Sequence, residues 1–217
     1  MSRADVLRRI EEIGIVPVIR SPSADVAFRA VEAIVAGGIP ICEITMTVPD
    51  APALIRDLVG RLGDRALIGA GTVLDAAAAT VCLDAGAAFL VGPGLDLDMV
   101  AVARKRDVPV MPGALTPTEV ITAWRAGADM VKIFPVSAMG GASYLKALRA
   151  PLPQVKLLPT GGINVSNLAD FVTAGAAAVG IGGELVDPAA IARGEAHVIT
   201  DRARALRAEI TRVRTSR

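Results

Sequence analysis

The segment Ala126-Gly127-Ala128-Asp129-Met130-Val131-Lys132-Ile133-Phe134-Pro135 holds the pattern that decides the fold, a helix-ending glycine followed at once by a short apolar run. Glycine at the end of an amphipathic stretch is a C-terminal helix cap, and the apolar run after it reads as a buried strand. The same ending occurs at Ala36-Gly37-Gly38, Ala85-Gly86-Ala87 and Ala174-Gly175-Ala176. Successive cap glycines, at 37, 86, 127 and 175, lie 49, 41 and 48 residues apart. If one βα unit takes ~25 residues, as in a compact eightfold barrel, each interval holds two units and the chain holds eight.

Working outward from the caps, strands are expected near Ile15 to Arg20, Ile41 to Thr45, Ala66 to Ala70, Ala88 to Val91, Val108 to Met111, Met130 to Phe134, Val155 to Pro159 and Ala177 to Ile181. Helical patterns separate them. The first, Ala24 to Ala36, follows the capping Ser23, sets Asp25, Arg29 and Glu32 on one side, and leaves Val26, Ala30 and Ile34 to cover the sheet. An open doubly wound sheet would alternate in the same way. No G-x-G-x-x-G opens the first helix and the period runs through the whole chain, so a closed (β/α)8 barrel is the expected fold.

The bulk composition agrees. A chain of 217 residues suits one filled core, and no composition shift marks a boundary, so residues 1–217 are read as a single α/β domain with an N-terminal helix. Of its residues 53% are hydrophobic and 3% aromatic, a mix that suits aliphatic parallel strands covered by helices. The longest charge-free stretches, such as Phe171 to Gly183, run to 13 residues, below the ~18 of a membrane span. The opening MSRADVLRRIEEIG is charged throughout and lacks an apolar signal core, which implies a cytoplasmic protein. Cys42 and Cys82 have no paired spacing and His197 is the single histidine, so neither a disulfide framework nor a metal site is expected. A net charge of +1 makes no case for nucleic acid.

Polar residues inside strands point to the site. Strand side chains alternate, so if Cys42 and Ile44 face the helices then Glu43 points into the barrel. By the same parity Val131 and Ile133 face outward while Met130, Lys132 and Phe134 face the axis. Glu43 and Lys132 come from the second and sixth strands, opposite members of one set, and can meet. A structural ion pair is the plain alternative. Both residues, however, lie toward the C-terminal strand ends where barrels carry their active sites, and a buried pair adds little stability over apolar packing.

A nucleophilic amine must be uncharged when it attacks, and an apolar setting disfavours the ammonium form. Of four lysines among 23 basic residues, Lys105 and Lys146 fall on helices and Lys156 at a strand start, leaving Lys132 as the candidate nucleophile. Thr160-Gly161-Gly162 and Gly182-Gly183 follow the seventh and eighth strands, where barrels commonly cradle phosphate with backbone N–H groups, and Asp187-Pro188 opens a short helix behind them. Thr72 and Pro93 end the third and fourth strands and shape the pocket. Arg20 has inward parity at the end of the first strand and suits a carboxylate held by two parallel hydrogen bonds. His197, Trp124 and Tyr144 fall in helical stretches and are read as packing.

Taken together, VPVIR (16 to 20), CEIT (42 to 45), GAGTVLD (69 to 75), VGPG (91 to 94), MPGALTPTE (111 to 119), VKIFP (131 to 135), LPTGGI (158 to 163) and IGG (181 to 183) resemble the family of 2-keto-3-deoxy-6-phosphogluconate and 4-hydroxy-2-oxoglutarate aldolases, in order and spacing over nearly the whole chain. The resemblance implies a homotrimeric class I aldolase that needs no cofactor or metal. It would cleave 2-keto-3-deoxy-6-phosphogluconate or its galactonate epimer to pyruvate and glyceraldehyde 3-phosphate, and 4-hydroxy-2-oxoglutarate to pyruvate and glyoxylate. In it Lys132 forms the imine, Glu43 is the acid/base, and Phe134, Pro93, Thr72 and Thr160 line the pocket. Two departures stand out. Gluconate-type members carry an arginine where this chain has Thr47, and the galactonate type instead carries one at the position of Arg20. A serine of the phosphate loop is here Gly183. The rival readings are a phosphate-binding barrel isomerase or epimerase and a barrel that binds a keto acid without turning it over.

Overall fold

The computed structural model describes residues 1–215 and forms a closed parallel barrel wrapped by helices. The strands are β1 (Ile15–Ile19), β2 (Ile41–Thr45), β3 (Leu67–Gly71), β4 (Leu90–Val91), β5 (Val110–Met111), β6 (Gly113–Ala114), β7 (Val131–Ile133), β8 (Leu157–Pro159) and β9 (Val179–Ile181). Hydrogen bonding gives the order β5-β4-β3-β2-β1-β9 and, separately, β6-β7-β8. Two joints close the ring. The Thr160–Gly180 bridge links the β8 and β9 sides, and β5 and β6 are halves of one strand interrupted at Pro112. Proline has no N–H to give to a ladder, yet its carbonyl still accepts from the Lys132 amide at 2.9 Å, so the strand continues past the break.

Around the barrel lie α2 (Ala24–Ala36), α3 (Ala51–Leu62), α4 (Ala76–Asp84), α5 (Leu97–Lys105), α6 (Pro117–Arg125), α7 (Ala142–Arg149), α8 (Leu168–Thr173) and α10 (Ala196–Thr215). Helix α1 (Arg3–Ile13) precedes the barrel, and the short α9 (Pro188–Ala192) sits where Asp187-Pro188 predicts it. Ser23 caps α2 through the Val26 amide as expected, although Ala27 and Val31 are buried more fully than Val26. Left-handed glycines end the helices at Gly86, Gly127 and Gly175; at the first ending it is Gly38, not Gly37, that takes positive φ. Gly37 is required for another reason: a Cβ there would stand 2.4 Å from that of Ala203.

The strand bounds move slightly from those read in the sequence. β3 runs one residue further, to Gly71, and the strands after it are shorter than expected. The parity holds. Cys42, Ile44, Val131 and Ile133 belong to the core between sheet and helices, whereas Val16, Ile41, Leu67, Met111, Met130 and Leu158 fill the barrel interior. Val6 and Ile10 of α1 join this interior cluster, so α1 plugs the N-terminal end of the barrel. Arg3 fastens it, bonding Asp129 at 2.6 Å, and Asp129 in turn accepts the Val110 amide. Apolar packing thus occupies the lower barrel and leaves polar side chains to the C-terminal end. Among the described residues no helix is long and apolar enough to cross a membrane.

Candidate active site

Glu43 and Lys132 meet inside the barrel. The Lys132 ammonium nitrogen lies 3.6 Å from Glu43 Oε1, with Glu43 1% and Lys132 3% exposed. Glu43 Oε1 is buried and has no hydrogen-bond partner, an arrangement that is costly unless something else occupies the site. Lys132 is held from both sides, since its strand pairs with Gly113 of β6 and with Leu158 of β8. Its Nζ sits 5.5 Å from the centre of the Phe134 ring, which covers the amine with an apolar and weakly attractive face.

Gly71 makes room for the acid. A Cβ there would stand 1.9 Å from Glu43 Oε1, so only glycine fits opposite the carboxylate. The expected end of the third strand at Ala70 hid this residue. The next one, Thr72, has φ +56, a strained conformation that β-branched residues rarely adopt.

A cavity of about 470 Å³, within the ~300–1,000 Å³ usual for small-molecule sites, shares Phe134 with the pair, although neither Lys132 nor Glu43 is part of its wall. Its wall includes Arg20, Phe134, Thr160, Gly161, Gly162, Gly182 and Gly183, as the sequence predicts. It also includes Pro188 of the expected short helix, and Val18, Ile163, Gly180, Glu184 and Val186, to which the sequence assigned no site role. Val18 shares the inward parity of Val16, and Glu184 directly follows the glycine pair, so both had a signal. Thr72 and Pro93 end β3 and β4 at the same end of the barrel but are not part of this wall.

Arg20 sits just beyond β1 and is exposed, with no hydrogen bond or ion pair to any described residue. Gly161 and Gly162 both take positive φ, and their amides donate to no acceptor among the described residues, leaving donors for a ligand oxygen. Thr45 donates its hydroxyl to the Ile19 carbonyl at 2.8 Å, so its 2.7 Å contact with Thr47 must use the Thr47 proton. Thr47 is therefore a neutral hydroxyl tied to its own strand end. Among the described residues no cluster of three His, Cys, Asp or Glu side chains is placed to hold a metal ion.

The chain as a whole is similar to known proteins. The sequence model described as KDPG and KHG aldolase matches residues 6–202. The chain belongs to the KDPG and KHG aldolase family. The 2-dehydro-3-deoxy-phosphogluconate aldolase of Pseudomonas aeruginosa is 37% identical over 79% of this chain and 76% of its own. The 2-dehydro-3-deoxy-6-phosphogalactonate aldolase of Escherichia coli K12 is 35% identical over 80% of this chain and 85% of its own. Among solved structures, KDPG aldolase from Legionella pneumophila, with pyruvate captured at low pH as a covalent carbinolamine intermediate, superposes with a TM-score of 0.85. It is 32% identical and covers 92% of this chain and 97% of that one.

Other reactive side chains in this KDPG and KHG aldolase family member lie apart from the site. Burial pushes the Cys42 thiol up and that of Cys82 to about 11, so neither supplies a thiolate near neutral pH. Tyr144 donates to the Leu115 carbonyl and Trp124 packs on the core, as expected, whereas His197 is exposed at the start of α10 rather than buried in the packing.

Proposed function

We propose that this family member is a class I aldolase in which Lys132 is the nucleophile and Glu43 the acid/base. The observation that carries the reading is a buried amine 3.6 Å from a carboxylate oxygen that lacks any other partner. The substrate class is a 2-keto-3-deoxy sugar acid, in the gluconate or galactonate series, with 4-hydroxy-2-oxoglutarate as a shorter member.

The Lys132 amine adds to the C2 ketone, giving a carbinolamine that loses water to a protonated imine. The captured carbinolamine of the Legionella relative supports the first of these steps. Glu43 then takes the C4 hydroxyl proton, the C3–C4 bond breaks, and its electron pair passes into the imine to leave an enamine. The aldehyde departs. Glu43 returns a proton to C3, and water hydrolyses the imine to pyruvate and free Lys132.

Arg20 holds the substrate carboxylate through paired charge-assisted bonds, while Thr160, Gly161, Gly162, Gly182 and Gly183 receive the hydroxylated end. Phe134, Thr72 and Pro93 shape the mouth. We further infer that the chain acts as one catalytic domain, in the cytoplasm, and as a homotrimer. Leu74, Val81 and Leu97 are 60%, 48% and 49% exposed on the loop before α4, on α4 and on α5, and a second copy would cover them.

The test is borohydride reduction in the presence of pyruvate. A lactyl-sized mass on the peptide containing Lys132, and loss of both mass and turnover in Lys132→Ala, is the expected result. Glu43→Gln should still be labelled but lose exchange of pyruvate methyl protons with deuterated water. Labelling at another residue, or turnover by Lys132→Ala, would falsify the assignment.

A further inference from the structure

Glu184 lines the cavity directly after Gly182-Gly183, on the loop that receives the far end of the substrate. We propose that Glu184 is a specificity residue that favours a 2-keto-3-deoxy acid with an uncharged, hydroxylated tail and disfavours one ending in phosphate. The proposal rests on the aldolase reading above.

The charges around the cavity carry it. Arg20 and Glu184 are the charged residues of its wall, and Lys132 and Glu43, outside that wall, are paired with each other. Once a substrate carboxylate has engaged Arg20, the wall holds no second cation for a phosphate dianion. Glu184 is exposed and makes no hydrogen bond or ion pair with any described residue, so its charge is screened by solvent but not neutralised by the protein, and it acts on a ligand that lies directly beside it.

The rest of the loop adds no cation, and its donors are neutral amides: those of Gly183 and Glu184 have no acceptor among the described residues. The amides of Leu185 and Val186 both donate to the Gly182 carbonyl at 2.9 Å, which turns them away from a ligand. At α9, Asp187 accepts the Ala190 amide at 3.0 Å and so occupies the helix start with its own carboxylate. That bond is the first cause holding the Asp187 carboxyl below its ordinary value, which keeps it ionised. Arg202 lies 3.7 Å from Asp187 and pairs with it. The free amides of Gly161 and Gly162 donate equally well to hydroxyl oxygens, and a carboxylate such as Glu184 accepts from hydroxyl groups while repelling an anion.

The experiment compares addition of pyruvate to D-glyceraldehyde and to D-glyceraldehyde 3-phosphate by wild type, Glu184→Gln and Glu184→Lys. The expected result is a wild-type preference for the uncharged aldehyde. The ratio of kcat/KM, phosphorylated over uncharged, should rise roughly tenfold in Glu184→Gln and further in Glu184→Lys. Because the effect is coulombic, the gap between wild type and Glu184→Gln should narrow at ~1 M salt, which a merely structural role for Glu184 would not produce. A ratio that stays within about twofold of wild type in both variants overturns the proposal, as does a wild-type preference for the phosphorylated aldehyde. Borohydride trapping of pyruvate separates the two levels. Trapping on Lys132 with an unmoved ratio sinks the role of Glu184 alone, whereas wild type that traps no pyruvate sinks the aldolase reading and this proposal with it.

Discussion

At the scale of single residues, the site is a set of small spaces left for two charged groups. Glu43 can stand beside Lys132 only because Gly71, which pairs with Thr45 two residues further along the β2–β3 ladder, has no side chain: a Cβ there would fall 1.9 Å from Oε1. Gly71→Ala should therefore displace the carboxylate by about an ångström, a shift that can cost roughly a hundredfold in rate. Pyruvate should still be trapped on Lys132, while exchange of its methyl protons slows in step with kcat. Exchange at the wild-type rate would mean that the Glu43 position is set elsewhere. Parity alone located Glu43 and Lys132, because alternation along a strand is local. It did not reach Gly71, since one residue of error at the end of β3 turned that glycine from strand into loop.

At the scale of elements, α1 and the loops after β8 and β9 do opposite work. Helix α1 places Ile10, fully buried, among the interior side chains of the barrel floor. Ile10→Ala should cost roughly 2 to 5 kcal/mol through lost burial and the cavity left behind, read as a lower urea midpoint at constant slope. A change under ~0.5 kcal/mol would mean that α1 is not part of the cooperative core. The loops after β8 and β9 instead leave space open. The amphipathic pattern of the first residues revealed a helix but not where it would dock, because its apolar stripe fits any apolar surface. Likewise the glycine pairs announced a cradle without stating what charge would line it.

At the scale of the whole molecule, α4 is the conspicuous part. Its sequence, AAAATVCLD, has no charge before Asp84, and Ala77 and Val81 are exposed. A helix apolar on every side is ordinarily covered on every side. With Leu74 and Leu97 nearby in the fold, this surface should close a trimer, seen by sedimentation as about three times 22.3 kDa at micromolar concentration. Leu74→Asp combined with Val81→Asp should shift that species toward monomer. A wild-type monomer, or a trimer indifferent to both substitutions, would remove this face from the assembly.

The chain by itself determined the eightfold repeat, the residues that face the axis and the chemistry they suit. These depend on periodicity and on the order of residue types, which are properties of short segments. Only the closed barrel decided that Glu43 Oε1 and Lys132 Nζ stand 3.6 Å apart and that Arg20 and Glu184 share one cavity wall. It also decided that the Thr72 backbone would be held at positive φ. Those facts depend on strand stagger and ring closure, which sum small local choices around the barrel and cannot be read from any one segment.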